Sequence, residues 1–451
     1  MKRRKQPQQE QSPALPTDSA LTRRRLLKTS ALTAATAGLY GVAPFYGPWK
    51  HHHAWAQTAQ KKPLTIGLTM DASGQYAASG QEERLGAMMA IKEFNAKGGV
   101  LGRQIEAIHI DTETTPATGS RVAERMITRN EAAFLIGALH SGVANAISQV
   151  AQKHGVIFLN TNSSSPTEAG ANCHRTKFVW DGNGANFASA IVKNAIKVNG
   201  KNWVLLTNDY VWGHDTSKAT RALAEAEGAK IIGEILVPQN TRDFTSYLLR
   251  LQQMKPEVVA AAIGGDDLKS MRQQVVQAKL DKSIAWINNQ QDWPDVYGLG
   301  PDQIFGVFGT NWYWRLALPG VKEFVANYQK TYPGMAIQVP GNVYYNGYMA
   351  TRELLRAVEK AGTTNNIAVI KVLENIKVSA ADRMQNFDAY MNPATHQLQQ
   401  TIYMATYNDK PAEKDDIFKI LTAAPPAEVE DKAAPGACKL ESYADTKSYE
   451  P

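Results

Sequence analysis

The run Ala133–Leu159, AFLIGALHSGVANAISQVAQKHGVIFL, decides how this chain folds. Two apolar runs of strand length, Ala133–Gly137 and Val156–Leu159, flank a longer mixed segment, Gly142–His154, that reads as a helix. A strand, a crossing helix and a second strand make one parallel unit. Toward the N-terminus, Thr118–Asn130 reads as a helix and Ile105–Asp111 as a strand. Before them, Glu82–Lys97 reads as a helix with Leu85, Met88, Met89 and Phe94 at helical spacing, stopped by Gly98 and Gly99, and Leu64–Thr69 as a buried strand. Toward the C-terminus the alternation starts again. Trp203–Thr207, Lys230–Val237, Val258–Ile263, Ser283–Ile287 and Ile304–Gly309 are strand candidates, separated by helices near Ser217–Glu227, Thr245–Met254 and Leu268–Ala278. The predicted class is therefore α/β, two doubly wound parallel-sheet lobes in succession. Helices at Val343–Lys360 and Asn365–Ile376, a hairpin over Phe387–Tyr407 and an extended strap after Ala423 complete the expectation.

With 451 residues the chain has room for two or three domains. Its net charge of +7 comes from the first 56 residues, which hold 9 Lys and Arg against 2 Asp and Glu; the remainder carries 40 of each sign. A balanced body lacks the electrostatic footprint of a nucleic-acid binder, and none is predicted as a partner. Within those first residues, TRRRLLK at Thr22–Lys28 precedes a weakly apolar stretch to Tyr46 and the small residues of AWAQ at 54–57. Residues 1–56 are similar to a twin-arginine export signal, carried by Arg23 and Arg24. A retained basic anchor is the competing reading, but Gly41, Pro44 and Gly47 interrupt the apolar run. His51, His52 and His53 would leave with the signal and are given no metal role. No later segment reaches about 20 uninterrupted apolar residues, so the exported chain is expected to be soluble and periplasmic. An oxidising compartment lets Cys173 and Cys438 pair, and a disulfide is predicted, two free thiols being the alternative.

Enzyme signatures are absent: there is no GxGxxG after the first strand, no GxxxxGK[ST], HExxH, GxSxG or SxxK. The histidines at 109, 140, 154, 174, 214 and 396 show no metal-ligand spacing. His140 beside Ser141 invites a hydrolase reading, yet immediate neighbours on one element point in different directions. No catalytic residue, metal or cofactor is predicted. The loops after the strands, by contrast, are dense in small polar and aromatic residues, where open parallel sheets bind ligands.

Those loops carry a resemblance. LTIGLT (64–69), SGQYAASGQ (73–81), AKGGVLGRQI (96–105), DTETTP (111–116), LIGALHSGVANAI (135–147), NTNSSSP (160–166) and NDYVWGHD (208–215) form an ordered series. The chain closely resembles the branched-chain amino-acid type periplasmic binding proteins, solute receptors of ATP-driven importers. The resemblance implies a ligand cleft between two lobes joined by three chain crossings. It assigns residues 62–179 with 311–389 to one lobe, 180–310 with 390–436 to the other, and leaves 437–451 as a tail.

The resemblance also implies a site. Ser141 and Gly142 match the loop that holds a ligand carboxylate, with the free N–H groups of the following helix favouring an anion. Asn162 and Ser164 match the adjacent loop, Ser164 also suiting a cap. Trp212 falls where the family closes an aromatic over the solute, with local surface packing as the alternative; Tyr76 and Ser79 lie in the first loop. Where the family's carboxylate receives a ligand ammonium, this chain has Asn288, Asn289 and Gln290, so Asp266 is either a substitute acceptor or a helix cap. With Asp266 in the cleft an amino acid fits; without it, walls from Trp212, Trp312 and Tyr76 suit an aromatic acid or amide. The expected function is capture of a small amino acid or related carboxylate by a monomer that delivers it to ABC permease subunits, the competing class being a ligand sensor of the same fold.

Overall fold

The computed structural model describes residues 61–451. The export-signal reading and the three leader histidines lie outside the described residues. Fifteen strands are present among them. β1 (Leu64–Thr69), β2 (Ile105–His109), β3 (Phe134–Gly137), β4 (Ile157–Asn160) and β5 (Lys177–Val179) come first. β6 (Asn202–Asn208), β7 (Lys230–Val237), β8 (Val258–Ala262), β9 (Ala285–Asn288) and β10 (Val307–Thr310) follow. β11 (Lys377–Val378), β12 (Ala389–Asn392), β13 (Gln397–Gln399), β14 (Ile402–Tyr407) and β15 (Phe418–Ala424) end the series.

They form two sheets, β11-β12-β13-β5-β4-β3-β1-β2 and β15-β14-β10-β9-β8-β6-β7. In the first, Ile66 stands opposite Phe134 and Phe134 opposite Ile157, all parallel, so apolar side chains repeat at one level across the sheet. Leu64, Ile66, Leu68, Ile136 and Leu159 are fully buried, as strands covered on both faces must be. The second sheet repeats the plan with Val204, Leu206, Val259 and Ile287. Helices sit between successive parallel strands, and the strand ends of both sheets supply the loops that meet at the cleft.

The hairpin expected over Phe387–Tyr407 is divided between the lobes. β12 and β13 pair antiparallel in the first sheet, where β13 lies beside β5, Gln397 opposite Val179. β14 pairs antiparallel with β10 in the second sheet. The lobe boundary expected at 389/390 therefore falls after Gln399. The run of alternating residues has no break there, and only the available sheet edges decide where each arm pairs. β5, with three residues, and β15 escaped the sequence reading.

The tail is fastened to the first lobe. Cys173 and Cys438 form a disulfide with Cα atoms 5.6 Å apart. Beyond it, Glu441 accepts from His174 Nδ1 at 2.7 Å and from the Arg175 amide at 2.7 Å, and Tyr449 Oη donates to the Ala132 carbonyl at 2.9 Å. A crosslink over a separation of 265 residues restricts the unfolded chain, an effect worth about 2–4 kcal/mol. Among the described residues no helix is long and apolar enough to cross a membrane.

Candidate functional site

A cavity lies between the lobes, walled by the loops that follow parallel strands. The first lobe contributes Tyr76, Leu139, Asn162 and Ser164; the second contributes Tyr210, Trp212, Gly264, Gln290, Asp292 and Asp295. Its volume is about 20 Å3, room for on the order of one water, so a solute of several heavy atoms enters only as the lobes part. Direct contacts bridge the lobes around it: the Tyr76 and Tyr210 hydroxyls meet, Ser164 Oγ bonds Gln290 Oε1, and Gln75 Nε2 donates to the Gly264 carbonyl at 2.9 Å. Ser79 Oγ reaches Asp295 Oδ1 at 3.3 Å.

The helix Ser141–His154 begins at this cavity, yet its first amides are already taken. His140 Nδ1 accepts from Gly142 N at 3.1 Å and Val143 N at 3.3 Å. The ring Nε2 faces Gln239 Oε1 at 3.3 Å, so the proton sits on Nε2 and the imidazole is neutral. Burial pushes its pKa down, which keeps it so. Tyr210 stacks on the same ring with centroids 4.6 Å apart. His140 thus acts as a side-chain N-cap, and the sequence hint at a hydrolase partner resolves into that cap.

The carboxylates come from the segment after β9. Asp292 Oδ1 accepts from Asn342 Nδ2 at 2.7 Å and from Gln290 Nε2 at 3.3 Å. The same Gln290 amide donates to Asp181 Oδ2 at 3.0 Å. Asp295 Oδ2 accepts from the Gly265 amide at 2.7 Å. Burial and the neighbouring Asp292 push Asp295 up to about 7, and burial raises Asp292 as well.

Of the positions singled out from the sequence, Tyr76, Asn162, Ser164 and Trp212 line the cavity. Asn162 Oδ1 accepts from Asn346 Nδ2 at 2.9 Å, and the buried Trp212 Nε1 has no partner among the described residues. Ser79 stands one contact behind, through Asp295. Ser141 is fully buried and bonds Ser163 Oγ at 3.0 Å, so neither it nor Gly142 lines the space. Asn289 is turned back into the second lobe, its Nδ2 donating to Thr220 Oγ1 at 2.6 Å. Asp266 is corrected outright: it points to the outside, where it pairs with Arg242 at 3.1 Å and Lys269 at 3.7 Å. Trp312, expected in the wall, stacks on Tyr345 in the first-lobe core with centroids 5.0 Å apart. Tyr210 and Asp292 lie on strand-end loops expected to bind but were not singled out, and Asp295 was missed. Tyr210 is two residues from Trp212, and Asp292 is two beyond Gln290, so following each loop to the start of its helix would have found these two; Asp295 lies inside the short helix Trp293–Val296.

The family model described as periplasmic binding protein matches residues 63–412. The chain belongs to the periplasmic binding protein family. A Leu/Ile/Val-binding protein of Rhizobium johnstonii is 25% identical over 315 residues, covering 68% of this chain and 82% of the relative. A periplasmic binding protein of Burkholderia mallei superposes with a TM-score of 0.76 at 23% identity, over 82% of this chain and 97% of its own. A solute-binding protein of an ABC transporter from Rhodopseudomonas palustris, solved with 3,4-dihydroxybenzoic acid, gives 0.72 at 22% identity, over 81% and 98%. This periplasmic binding protein therefore shares its two-lobed fold with proteins whose solutes differ widely, and the lining of its own cleft must speak for its solute.

Proposed function

We propose that this periplasmic binding protein captures a small organic solute, of the amino-acid or a related class, between its lobes and hands it unchanged to the membrane subunits of an ABC importer. The observation that carries the reading is the cavity itself: strand-end loops of both lobes close on one small space with polar, acidic and aromatic walls. Lobe closure around solute is a hinge motion, and the importer distinguishes the closed from the open form. Delivery to the periplasm as a monomer, by a twin-arginine leader over residues 1–56, completes the proposal.

A second reading, an aromatic acid as solute, is favoured by the clustering of Tyr76, Tyr210 and Trp212 on the cavity wall and by the neighbour that holds 3,4-dihydroxybenzoic acid. A thermal-shift screen of amino acids, amines, amides and aromatic acids tests capture, because a solute that binds only the folded form raises the melting temperature by mass action. X-ray scattering on the same samples is expected to show the radius of gyration falling with each solute that binds. A hit that leaves the radius unchanged would count against binding between the lobes.

A further inference from the structure

Resting on solute capture in this cleft, we infer that Asp181 is a positioning residue: its carboxyl ties the chain crossings between the lobes to the cleft wall and fixes which end of the Gln290 amide faces Ser164. The chain passes between the two sheets three times, after β5, after β10 and between β13 and β14. Asp181 stands in the first passage, fully buried and behind the cavity lining, so it acts on a solute only through its neighbours. Its Oδ1 accepts from Asn311 Nδ2 at 2.8 Å, and Asn311 opens the second passage. In the third, Gln400 Nε2 donates to the Trp180 carbonyl at 2.8 Å, and Gln397 Nε2, on β13 just before it, donates to the Asp181 carbonyl. Gln385 Nε2 links the second and third by donating to the Asn311 carbonyl at 2.6 Å and to Gln400 Oε1 at 3.2 Å. All three passages are thus bonded together around one carboxyl.

The other oxygen of that carboxyl reaches the cleft wall. Asp181 Oδ2 accepts from Gln290 Nε2 at 3.0 Å, and Asp292 Oδ1 accepts from the same nitrogen at 3.3 Å. With its nitrogen committed to two carboxyls, Gln290 presents Oε1 to the opposite lobe, where Ser164 Oγ donates to it. Gln290 and Ser164 both line the cavity. A second path starts at Asn311, whose Nδ2 also donates to Asn346 Oδ1 at 2.8 Å. Asn346 Nδ2 in turn donates to Asn162 Oδ1 at 2.9 Å, on the first-lobe wall. Both faces of the cleft are therefore connected to Asp181 through one buried side-chain network.

Only a carboxyl serves both directions at once. Burial, and then the neighbouring Asp292, push Asp181 well above the usual carboxylate range. Charged or protonated, it still accepts at both oxygens, because a hydroxyl oxygen keeps a lone pair for an incoming N–H. An Asn of the same shape accepts at one oxygen and brings its own N–H groups to the other side. If that oxygen stays with Asn311, the new nitrogen faces Gln290 Nε2, donor against donor. Gln290 must then turn over, offering its nitrogen to Ser164 and setting Oε1 against Asp292. The wall of the cleft changes from acceptor to donor at this point, although the exchanged residue never touches the solute.

A double-mutant cycle between Asp181→Asn and Gln290→Ala tests this, first without solute. By X-ray scattering each single variant is expected to show a larger radius of gyration than the wild type, since the bond from Ser164 to Gln290 Oε1 is lost, and the double variant to expand no further. A solute found in the thermal-shift screen then gives a second cycle by calorimetry. Asp181→Asn is expected to weaken its binding about tenfold in the wild-type background, and less than about twofold when Gln290 is already Ala. A residue that merely supported the fold would weaken both backgrounds alike. Additive losses, or an Asp181→Asn protein that closes and binds like the wild type, overturn the inference and leave solute capture standing. Should Asp181→Asn not fold, a crystal structure of the wild type with the same solute decides. The Gln290 amide is expected to stay within hydrogen-bond distance of Asp181 Oδ2, and a Gln290 swung clear of it overturns the inference. If no compound moves the melting temperature, capture falls instead, and the solute-free scattering still decides the role of Asp181.

Discussion

The two faces of the cleft are built on the same plan and carry opposite chemistry. On each, parallel strands end in loops that lead into helices, the place where open α/β sheets bind ligands. The first-lobe face is neutral: a histidine seals the start of its helix Ser141–His154, and Asn162 and Ser164 offer amide and hydroxyl. The second-lobe face is acidic and aromatic, with Asp292, Asp295, Tyr210 and Trp212. A shared architecture places the cleft, while a few loop side chains set the chemistry of its walls. Lobe for lobe, the same construction can therefore serve different solutes.

The plan is shared even in its tightest contacts, and breaking these has the largest expected effect. A Cβ on Gly213 would meet the Asn208 carbonyl oxygen at 1.9 Å, and one on Gly80 would meet the Asp71 carbonyl oxygen at 2.0 Å. Both helices press their first turns against the strand end before them. Gly213→Ala and Gly80→Ala are each expected to cost about 3 kcal/mol in denaturant unfolding, by overpacking against backbone. A large loss at one site and none at the other would break the likeness of the lobes.

The next effect is on pH. Asp295 rises to about 7, Glu82 to about 8 and Asp71 to about 6, all chiefly by burial. The folded protein then holds protons that the unfolded chain has lost, so stability falls as pH rises from about 4, where free carboxyls titrate, to about 8. Each such proton is worth about 1.4 kcal/mol per pH unit at the steepest. The melting temperature without solute is expected to drop across that window, and Asp295→Asn to flatten the drop. A melting temperature that instead climbs over the same range would remove the buried acids from the account.

A smaller change sharpens the contrast between the faces. His140→Ala strips the cap from the amides of Gly142 and Val143, with an expected cost of about 1 kcal/mol in stability. The smallest effect belongs to Asp266→Asn. Its pairs with Arg242 and Lys269 are solvent-exposed, so the loss is expected to stay below about 0.5 kcal/mol, with the affinity for any solute found in the thermal-shift screen unchanged in calorimetry. An altered affinity would return Asp266 to the site.

Much of the fold was legible along the chain. The runs that became β1, β7 and the helix Thr245–Met254 were bounded correctly to the residue, because apolar period and glycine or proline punctuation are local signals. The loops forming the cleft were legible for the same reason: each begins where a buried strand stops. The hairpin was not, since β13 and β14 differ only in which sheet edge accepts them. The disulfide depended on the tail's return to Cys173, a contact that no local pattern encodes.

What the sequence by itself determined was the alternation of strand and helix, and with it two lobes and the line along which they meet. What only the tertiary structure decided was which way the loop side chains turn. Asp266 faces outward, Asp292 and Asp295 face inward, and His140 folds back over its own helix. Strand and helix impose a period on the side chains they carry, so their inner faces can be counted from the sequence. A loop imposes none, and its side chains point wherever burial, partners and the opposite lobe leave them the lowest free energy.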